Sequence, residues 1–540
     1  MPIIFTGAEV AGKNSTGIPN FHFVDRKDPD YRSYYFYGND ALMLESLALK
    51  SGMITMFERL RKLSTLNCNA QYEWHSHFSF DGLLNLGLGE GSRDFGDIRC
   101  YNELLKRAEN EIELRKTRDT LIGLIEEIKS SAIDIADKHR ANQVIEKLAQ
   151  LEQEAMPQYI LMYSPWPDHF AHFKGPFSNE ILSTTGELNR LDYWLGKITE
   201  TYKKAGIYDR TVFGMAGDHG LSPIFHILNP EKIVLDKMAK EYKRQIKIKK
   251  ISSDEGEGPK INHSIRPESM KNYDVIIAST AGGNYMLDFF KGQDDASWRQ
   301  QPVYQDLIRL KLLDGGTPID MIKEIATRLH DSLDYLAVRE KPCSVQECDT
   351  RIITSISGRR VDEVIRRRGK QVYYAPYDLA SGKSILEIFT KNPYREQSEE
   401  DVKTKSDLLE TCLKRADSRD PKTWCDENQW RLLASFTPRP DSVVQLSHLY
   451  DEDRAGTVNL FPKYGVGYNT KVPGRHAGES FHEKDAFIGF WGTPTRNDKS
   501  KNLGPIVNGS LAPTIFSYIS GSDSTADGFG FPSVWKEIKK

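Results

Sequence analysis

The chain has 540 residues, enough for one large α/β domain with insertions or for two to four ordinary domains. A hydrophobic fraction of 39% and a mean hydropathy of -0.53 describe a soluble globular protein with a charged surface. A net charge of -3, from 73 basic and 76 acidic residues, gives no reason to expect a binder of duplex nucleic acid or of membrane surfaces. The two local basic runs, Lys243 to Lys250 and Arg359 to Lys370, read as a solvated helix face or loop. No stretch reaches the roughly 18 apolar residues of a membrane helix, and the N-terminus lacks the basic and apolar regions of a signal peptide. Six cysteines fall in no CxxC pattern; Cys343/Cys348 and Cys412/Cys425 are near enough in sequence for disulfides, and scattered buried thiols fit equally well.

In chain order, the most regular segment is Tyr101 to Glu154. It has no proline, one glycine (Gly123), and apolar residues such as Leu104, Leu105, Ala108, Ile112, Leu121, Ile125 and Ile128 at helical spacings. The pattern predicts a helical hairpin inserted into, and packed on, a larger domain that spans 1–100 and 155–540. An apolar strand follows at Tyr159 to Tyr163, then a helix with Ser178 as N-cap and Gly206 as C-cap glycine. Its apolar stripe is Ile181, Leu188, Leu191, Leu195, Ile198 and Tyr202. A buried-strand pattern at Thr211 to Ala216 completes a βαβ unit, which implies a parallel sheet. Further strands are expected at Val275 to Ser279, Tyr335 to Val338 and Ala486 to Trp491, with a helix over Asp320 to Ser332. The span 229–440 reads as an elaborated middle region with polar loops, Ser252 to Lys260 the clearest. The fold class expected is α/β, a mostly parallel central sheet flanked by helices, with a helical insertion.

Three segments place carboxylate or imidazole next to glycine at strand ends or in loops. Asp168 and His172 are four residues apart in PDHFAHFKGP, so one helical turn can aim both at one ion. Asp218 and His219 leave the end of a predicted strand in AGDHG, the edge at which open α/β sheets bind ligands. His476 lies in the glycine-flanked loop PGRHAG. Two Asp and three His suit zinc or a similar divalent ion rather than a calcium cage of oxygens. Two such ions about 3.5–4 Å apart can clamp the attacking and leaving oxygens of a phosphoryl displacement.

Taken in order, PDHFAHFKGP, the LDYWLG stretch at 191–196, AGDHG and GRHAG resemble the nucleotide pyrophosphatase/phosphodiesterase branch of the alkaline phosphatase superfamily. Gly17-Ile18-Pro19-Asn20 with Asp25-Arg26, Phe57-Glu58-Arg59-Leu60 and Ala512-Pro513-Thr514-Ile515 extend the likeness over about three-quarters of the chain. The resemblance implies a metal-dependent hydrolase of small phosphate esters with two divalent ions, Zn2+ by the ligand set. Asp168, His172 and His476 would bind one ion, Asp218 and His219 the other. It also implies a further ligand, an aspartate of an Asp-Gly that ends a first strand, and a Thr or Ser nucleophile shortly before a Thr-Gly.

Thr6-Gly7 looks like that Thr-Gly, which sets the expectation that the first strand, its aspartate and the nucleophile lie upstream of residue 1. The Asp-Gly pairs that the chain has, at Asp81, Asp314 and Asp527, do not follow an opening strand. Thr6, Ser15 and Thr16 are the N-terminal hydroxyls that could substitute. His169 reads as a packing neighbour of the ligands, His75 and His77 as surface or pocket-lining groups, Trp166 and Phe170 as pocket walls or core, and Lys174 as solvated. The contrasting reading is a non-catalytic relative that keeps the fold and one metal site as a binding or structural module. Substrate, oligomeric state and compartment stay open, the resemblance pointing to an extracytoplasmic protein.

Overall fold

Short turns and one long helical excursion decide how the strands of this chain meet. A computed structural model describes residues 2–35, 47–70, 72–80, 98–130, 135–251, 269–495, 502–522 and 528–540. The expected loop Ser252 to Lys260, Asp81 and Asp527 lie outside the described residues.

Strands β1 (His22–Val24) and β2 (Ser33–Tyr35) form an antiparallel hairpin. β3 (Thr65–Cys68) is the centre of a parallel sheet, with β4 (Phe78–Phe80) on one side and β5 (Tyr159–Met162) on the other. Between β4 and β5 come the predicted helices, Arg99–Ser130 and Ile135–Gln153. They are tied to each other by the ion pairs Lys147–Glu113 (2.5 Å) and Arg118–Glu152 (2.8 Å). Leu104 and Ala108 of the first helix pack on Leu66 of β3 and Ile198 and Tyr202 of the helix Glu187–Ala205. The excursion therefore docks on the main body by its near end, while Ile122, Ile125 and Ile145 farther out remain exposed.

β6 (Phe213–Ala216) pairs antiparallel with β19 (Ile488–Trp491). β7 (Ser222–Leu228) lies between β17 (Gly465–Tyr468), parallel to it, and β18 (Gly474–Arg475), antiparallel. The middle of the chain builds a larger sheet. In spatial order it runs β15 (Cys425–Asp426), β14 (Gln371–Ala375), β13 (Arg359–Arg368), β12 (Glu347–Ile356) and β11 (Leu333–Arg339). It continues through β16 (Val458–Pro462), β10 (Asn284–Phe289), β9 (Val275–Thr280) and β8 (Ile248–Lys250).

The sheets are thus mixed rather than mostly parallel. In the largest one only β8 and β9 run parallel; β9–β10, β11–β12, β12–β13 and β13–β14 are joined by turns too short for a crossover. Ser357 and Gly358 both adopt positive φ (52° and 76°), the two-residue geometry that twists with an antiparallel hairpin, and they fold β13 straight back on β12. The Arg359 to Lys370 run, expected as a solvated helix or loop, is largely this strand. Arg367 is buried there, ion-paired to Asp451 and donating to the Ser447 carbonyl at 3.0 Å. Alternation along β11 sends Leu336 and Val338 to one core, under the helix Met321–Arg328, and Tyr335 and Ala337 to the other.

The predicted βαβ unit exists as elements but not as neighbours: β5 and β6 belong to separate sheets among the described strands. Its helix is interrupted, with Asn179–Leu182 first and Glu187–Ala205 second, the latter capped by Gly206 in the left-handed conformation.

All six cysteines are paired: Cys68 with Cys100, Cys343 with Cys348 and Cys412 with Cys425. The first anchors the inserted helices to β3. Alkylation of the denatured, unreduced protein should therefore modify no cysteine, and six after reduction; mass spectrometry reads the difference, and any thiol free before reduction contradicts the pairing.

Candidate metal centre

Chain geometry explains why residues 300 apart in sequence meet. β5 ends at Met162, Ser164-Pro165 breaks it, and the helix Trp166–Lys174 starts with Pro167 in its first turn, where a missing N–H costs nothing. Asp168 lies in that first turn, favoured by the helix dipole, and His172 one turn on. Asp218 and His219 follow directly from β6. His476 follows β18 and forms a bridge with Gly282 in the β9–β10 turn.

The five residues converge. His172 Nε2 is 3.3 Å from Asp168 Oδ1, and His219 Nε2 and His476 Nε2 are each 4.0 Å from the same oxygen. His219 Nε2 is 3.5 Å from Asp218 Oδ2. The His219 and His476 rings stack with centroids 3.7 Å apart, and His172 meets His476 edge-on at 4.9 Å. The ligating atoms of Asp168, His172 and His476 all fall within 4.8 Å of one another.

Backbone carbonyls fix two of the imidazoles. His172 Nδ1 lies 2.8 Å from the Gly474 carbonyl and His219 Nδ1 lies 3.1 Å from the Gly220 carbonyl. A carbonyl only accepts, so each Nδ1 carries a proton, and in the neutral imidazole each Nε2 presents a lone pair inward. Asp168 Oδ1 is itself buried and receives no hydrogen bond, although the side chain as a whole is 34% exposed. The 3.3 Å approach of Nε2 to Oδ1 is a contact between two electron-rich atoms. It equals the edge, about 3.3 Å, of a tetrahedron of ligands about 2.0–2.1 Å from a common ion. Residues and geometry together fit a divalent cation.

Charge follows the same pattern. Burial works against the Asp168 carboxylate, yet His172, His476 and His219, as imidazolium rings, would outweigh it and hold the carboxyl well below the usual carboxylate range; with neutral rings a bound cation would supply that positive charge instead. Burial, helped by the neighbouring His219 and His172, pushes His476 well below the ordinary imidazole value against the pull of Asp168, which leaves it neutral as a ligand must be.

Glycine makes the close approaches possible. A Cβ on Gly474 would stand 2.2 Å from the Ala171 carbonyl oxygen, and one on Gly283 2.0 Å from that of His476. Arg475 and Glu483, both buried, pair at 3.1 Å beside the ligand loop. Glu483 also accepts from the Gly478 N–H, and its carbonyl accepts from the Gly220 N–H at 2.9 Å, so it braces the His476 and His219 loops at once. The sequence analysis passed over this residue. The signal was present: Ser480 and Glu483 have capping-box spacing, and the box forms. Asn508, also missed, donates to the Gly217 carbonyl ahead of Asp218.

Other candidates fall elsewhere. His75 and His77 are exposed, with His77 Nδ1 3.0 Å from Thr65 Oγ1. His169 packs among Trp166, Phe170 and Phe173. Lys174 is exposed, whereas Trp166 and Phe170 are core. Thr6 Oγ1 donates to the Pro2 carbonyl and Ser15 Oγ to that of Gly12, each at 2.8 Å, while Thr16 Oγ1 accepts from the Ile18 N–H at 3.4 Å.

The family model for type I phosphodiesterase / nucleotide pyrophosphatase matches residues 6–279. No curated protein and no solved structure matches the chain.

Two variants test this arrangement. His476→Ala should lower zinc content by about one equivalent per chain without unfolding the protein, read by elemental analysis with a thermal melt alongside; unchanged zinc removes His476 from the ligand set. Glu483→Gln, which leaves Arg475 buried without its counter-charge, should cost on the order of 3–5 kcal/mol of stability and loosen zinc retention. A melt within experimental error of the parent would contradict the bracing role.

Proposed function

Since the chain belongs to the type I phosphodiesterase / nucleotide pyrophosphatase family of the alkaline phosphatase superfamily, we propose that it is a metal-dependent hydrolase of small phosphate esters. Within that class we assign it to the phosphodiesterase or nucleotide pyrophosphatase type, working with two zinc ions.

One observation carries the reading. His172 Nε2, which carries an inward lone pair in the neutral ring, is held 3.3 Å from a buried oxygen of the Asp168 carboxylate. Two such atoms repel each other in a low-dielectric site unless a cation lies between them. Asp168, His172 and His476 would hold one ion, and Asp218 and His219 would contribute to the second. Bound there, divalent ions supply positive charge and Lewis acidity to a phosphoryl group.

The chain's own residues do the rest. Asp168 would provide the anionic ligand, in the first turn of a helix whose dipole favours a carboxylate there. The Gly474 and Gly220 carbonyls orient His172 and His219 so that neither ring can turn its N–H toward a cation. The catalytic hydroxyl is not assigned to Thr6, Ser15 or Thr16, whose hydroxyls are engaged with backbone groups. Three paired disulfides favour an oxidising, extracytoplasmic setting. No helix among the described residues is long and apolar enough to cross a membrane.

The second reading, a binding or structural module with one metal, is favoured by a different observation. Among the described residues only Asp168, His172 and His476 form a group of three or more ligands close enough for one ion.

Zinc stoichiometry and turnover of bis(p-nitrophenyl) phosphate separate the two. The enzyme reading expects two zinc ions per chain and hydrolysis that Asp168→Asn lowers by about 100-fold. One zinc or none, with no hydrolysis of monoester or diester, leaves the binding module.

A further inference from the structure

Away from the metal centre, His448 is clasped from both sides. It ends the helix Ser442–His448. Its Nδ1 lies 2.7 Å from an Asp451 oxygen and its Nε2 3.0 Å from a Glu427 oxygen. A carboxylate only accepts, so the arrangement requires a proton on each nitrogen and hence an imidazolium. A neutral ring would turn a lone pair toward one of the two carboxylates and lose that hydrogen bond. The side chain is 35% exposed, so its proton exchanges with solvent.

The clasp holds several segments at once. Glu427 opens the helix Glu427–Ser435, and its N–H donates to the Lys370 carbonyl between β13 and β14 at 3.1 Å. Asp451 ion-pairs with the buried Arg367 of β13. Arg367 in turn donates to the carbonyls of Val345 at 2.7 Å and Ser344 at 3.0 Å, inside the loop closed by Cys343 and Cys348.

The N-terminal loop 8–17 rests on this same surface. A Cβ on Gly12 would stand 3.3 Å from Val345, and the Gly17 carbonyl accepts from Arg454 at 3.0 Å. Glu9 lies within electrostatic reach of His448. The loop is closed by the Thr16 N–H on the Glu9 carbonyl and the Gly17 N–H on that of Val10, at 2.9 and 2.8 Å. Past Gly17 the chain runs on to Phe21, whose ring lies 6.0 Å from that of His476.

Among the described residues, the charged groups around His448 are Asp451, Glu427, Arg367 and Glu9, with Lys370 and Arg431 beside Glu427. Burial works against the imidazolium, yet Asp451 and Glu427 outweigh it and lift His448 above the ordinary imidazole value, against the opposing charge of Arg367. Burial works against the Glu427 carboxylate too, and the His448 ring outweighs it and holds Glu427 below the usual range. Burial raises Glu9, which the His448 charge draws back.

We propose that His448 is a proton-operated latch for the N-terminal loop 8–17, closed while the imidazolium is clasped by Glu427 and Asp451 and released when its proton leaves. Losing the proton breaks one of the two hydrogen bonds and removes the positive charge that faces Glu9. A raised imidazole contributes its stability in full below the ordinary value and loses it as pH rises through the raised one. The latch is therefore closed at about pH 6 and opens as the solution turns alkaline. Its state sets how firmly the segment leading to Phe21 is held beside His476.

Hydrogen exchange on the full chain tests this, with each rate divided by that of the unfolded sequence at the same pH. Protection of the amides of 8–17 should fall by about threefold or more between about pH 6 and about pH 8.5. His448→Gln, uncharged throughout, should show the low protection at both. Glu427→Gln keeps the histidine and removes one carboxylate, so the midpoint of the fall should move to lower pH, a shift that a merely structural role would not produce. Equal protection of 8–17 at both pH values in the parent overturns the proposal. So does a fall that persists unchanged in His448→Gln, or a midpoint that Glu427→Gln leaves in place.

Discussion

The buried Arg475–Glu483 pair is the interaction on which the candidate centre rests. Arg475 separates Gly474, whose carbonyl fixes His172, from His476, itself a candidate ligand. Its guanidinium also donates to the carbonyls of Val466 and Lys463, which ties the ligand loop to β17. Glu483 returns the charge and holds Gly478 and Gly220 through N–H groups. A charge pair removed from water is a poor source of net stability, but half of one is strongly unfavourable. The pair therefore acts as a register lock: the loops carrying His219 and His476 sit where both charges are satisfied.

Around that lock, ligand placement follows from where strands stop. β5 gives way to Ser164-Pro165 and β6 to Gly217, and each is followed closely by its candidate ligands. The large, mostly antiparallel sheet reaches the site at the β9–β10 turn, where Gly282 bridges His476. The middle of the chain thus supports the segment that carries His476.

Local signals were legible where a single residue type has a single physical use. Gly206 in the left-handed conformation stops its helix where a C-cap glycine was expected. Asp320 caps the helix Met321–Arg328 through the Lys323 N–H. The strands at 159, 213, 275, 333 and 488 all formed close to their expected bounds. Partnership was not legible, since an apolar run of five residues looks alike in a parallel and an antiparallel sheet. The Ser357-Gly358 hairpin and the buried Arg367 show what was missed: a basic, alternating stretch reads as surface until its neighbours supply Asp451 and a row of carbonyls.

By itself the sequence offered the five candidate ligands and their order, because the motifs that hold them, each with commoner uses when taken singly, resemble in sequence those of the family. It also determined the inserted helical pair, whose periodicity is purely local. Only the tertiary structure decided that Asp168, His172, Asp218, His219 and His476 share one site, which of their nitrogens point inward, and which buried pair holds them. Those are properties of contacts across some 300 residues, and hydrogen-bond direction belongs to the carbonyl that each ring happens to meet.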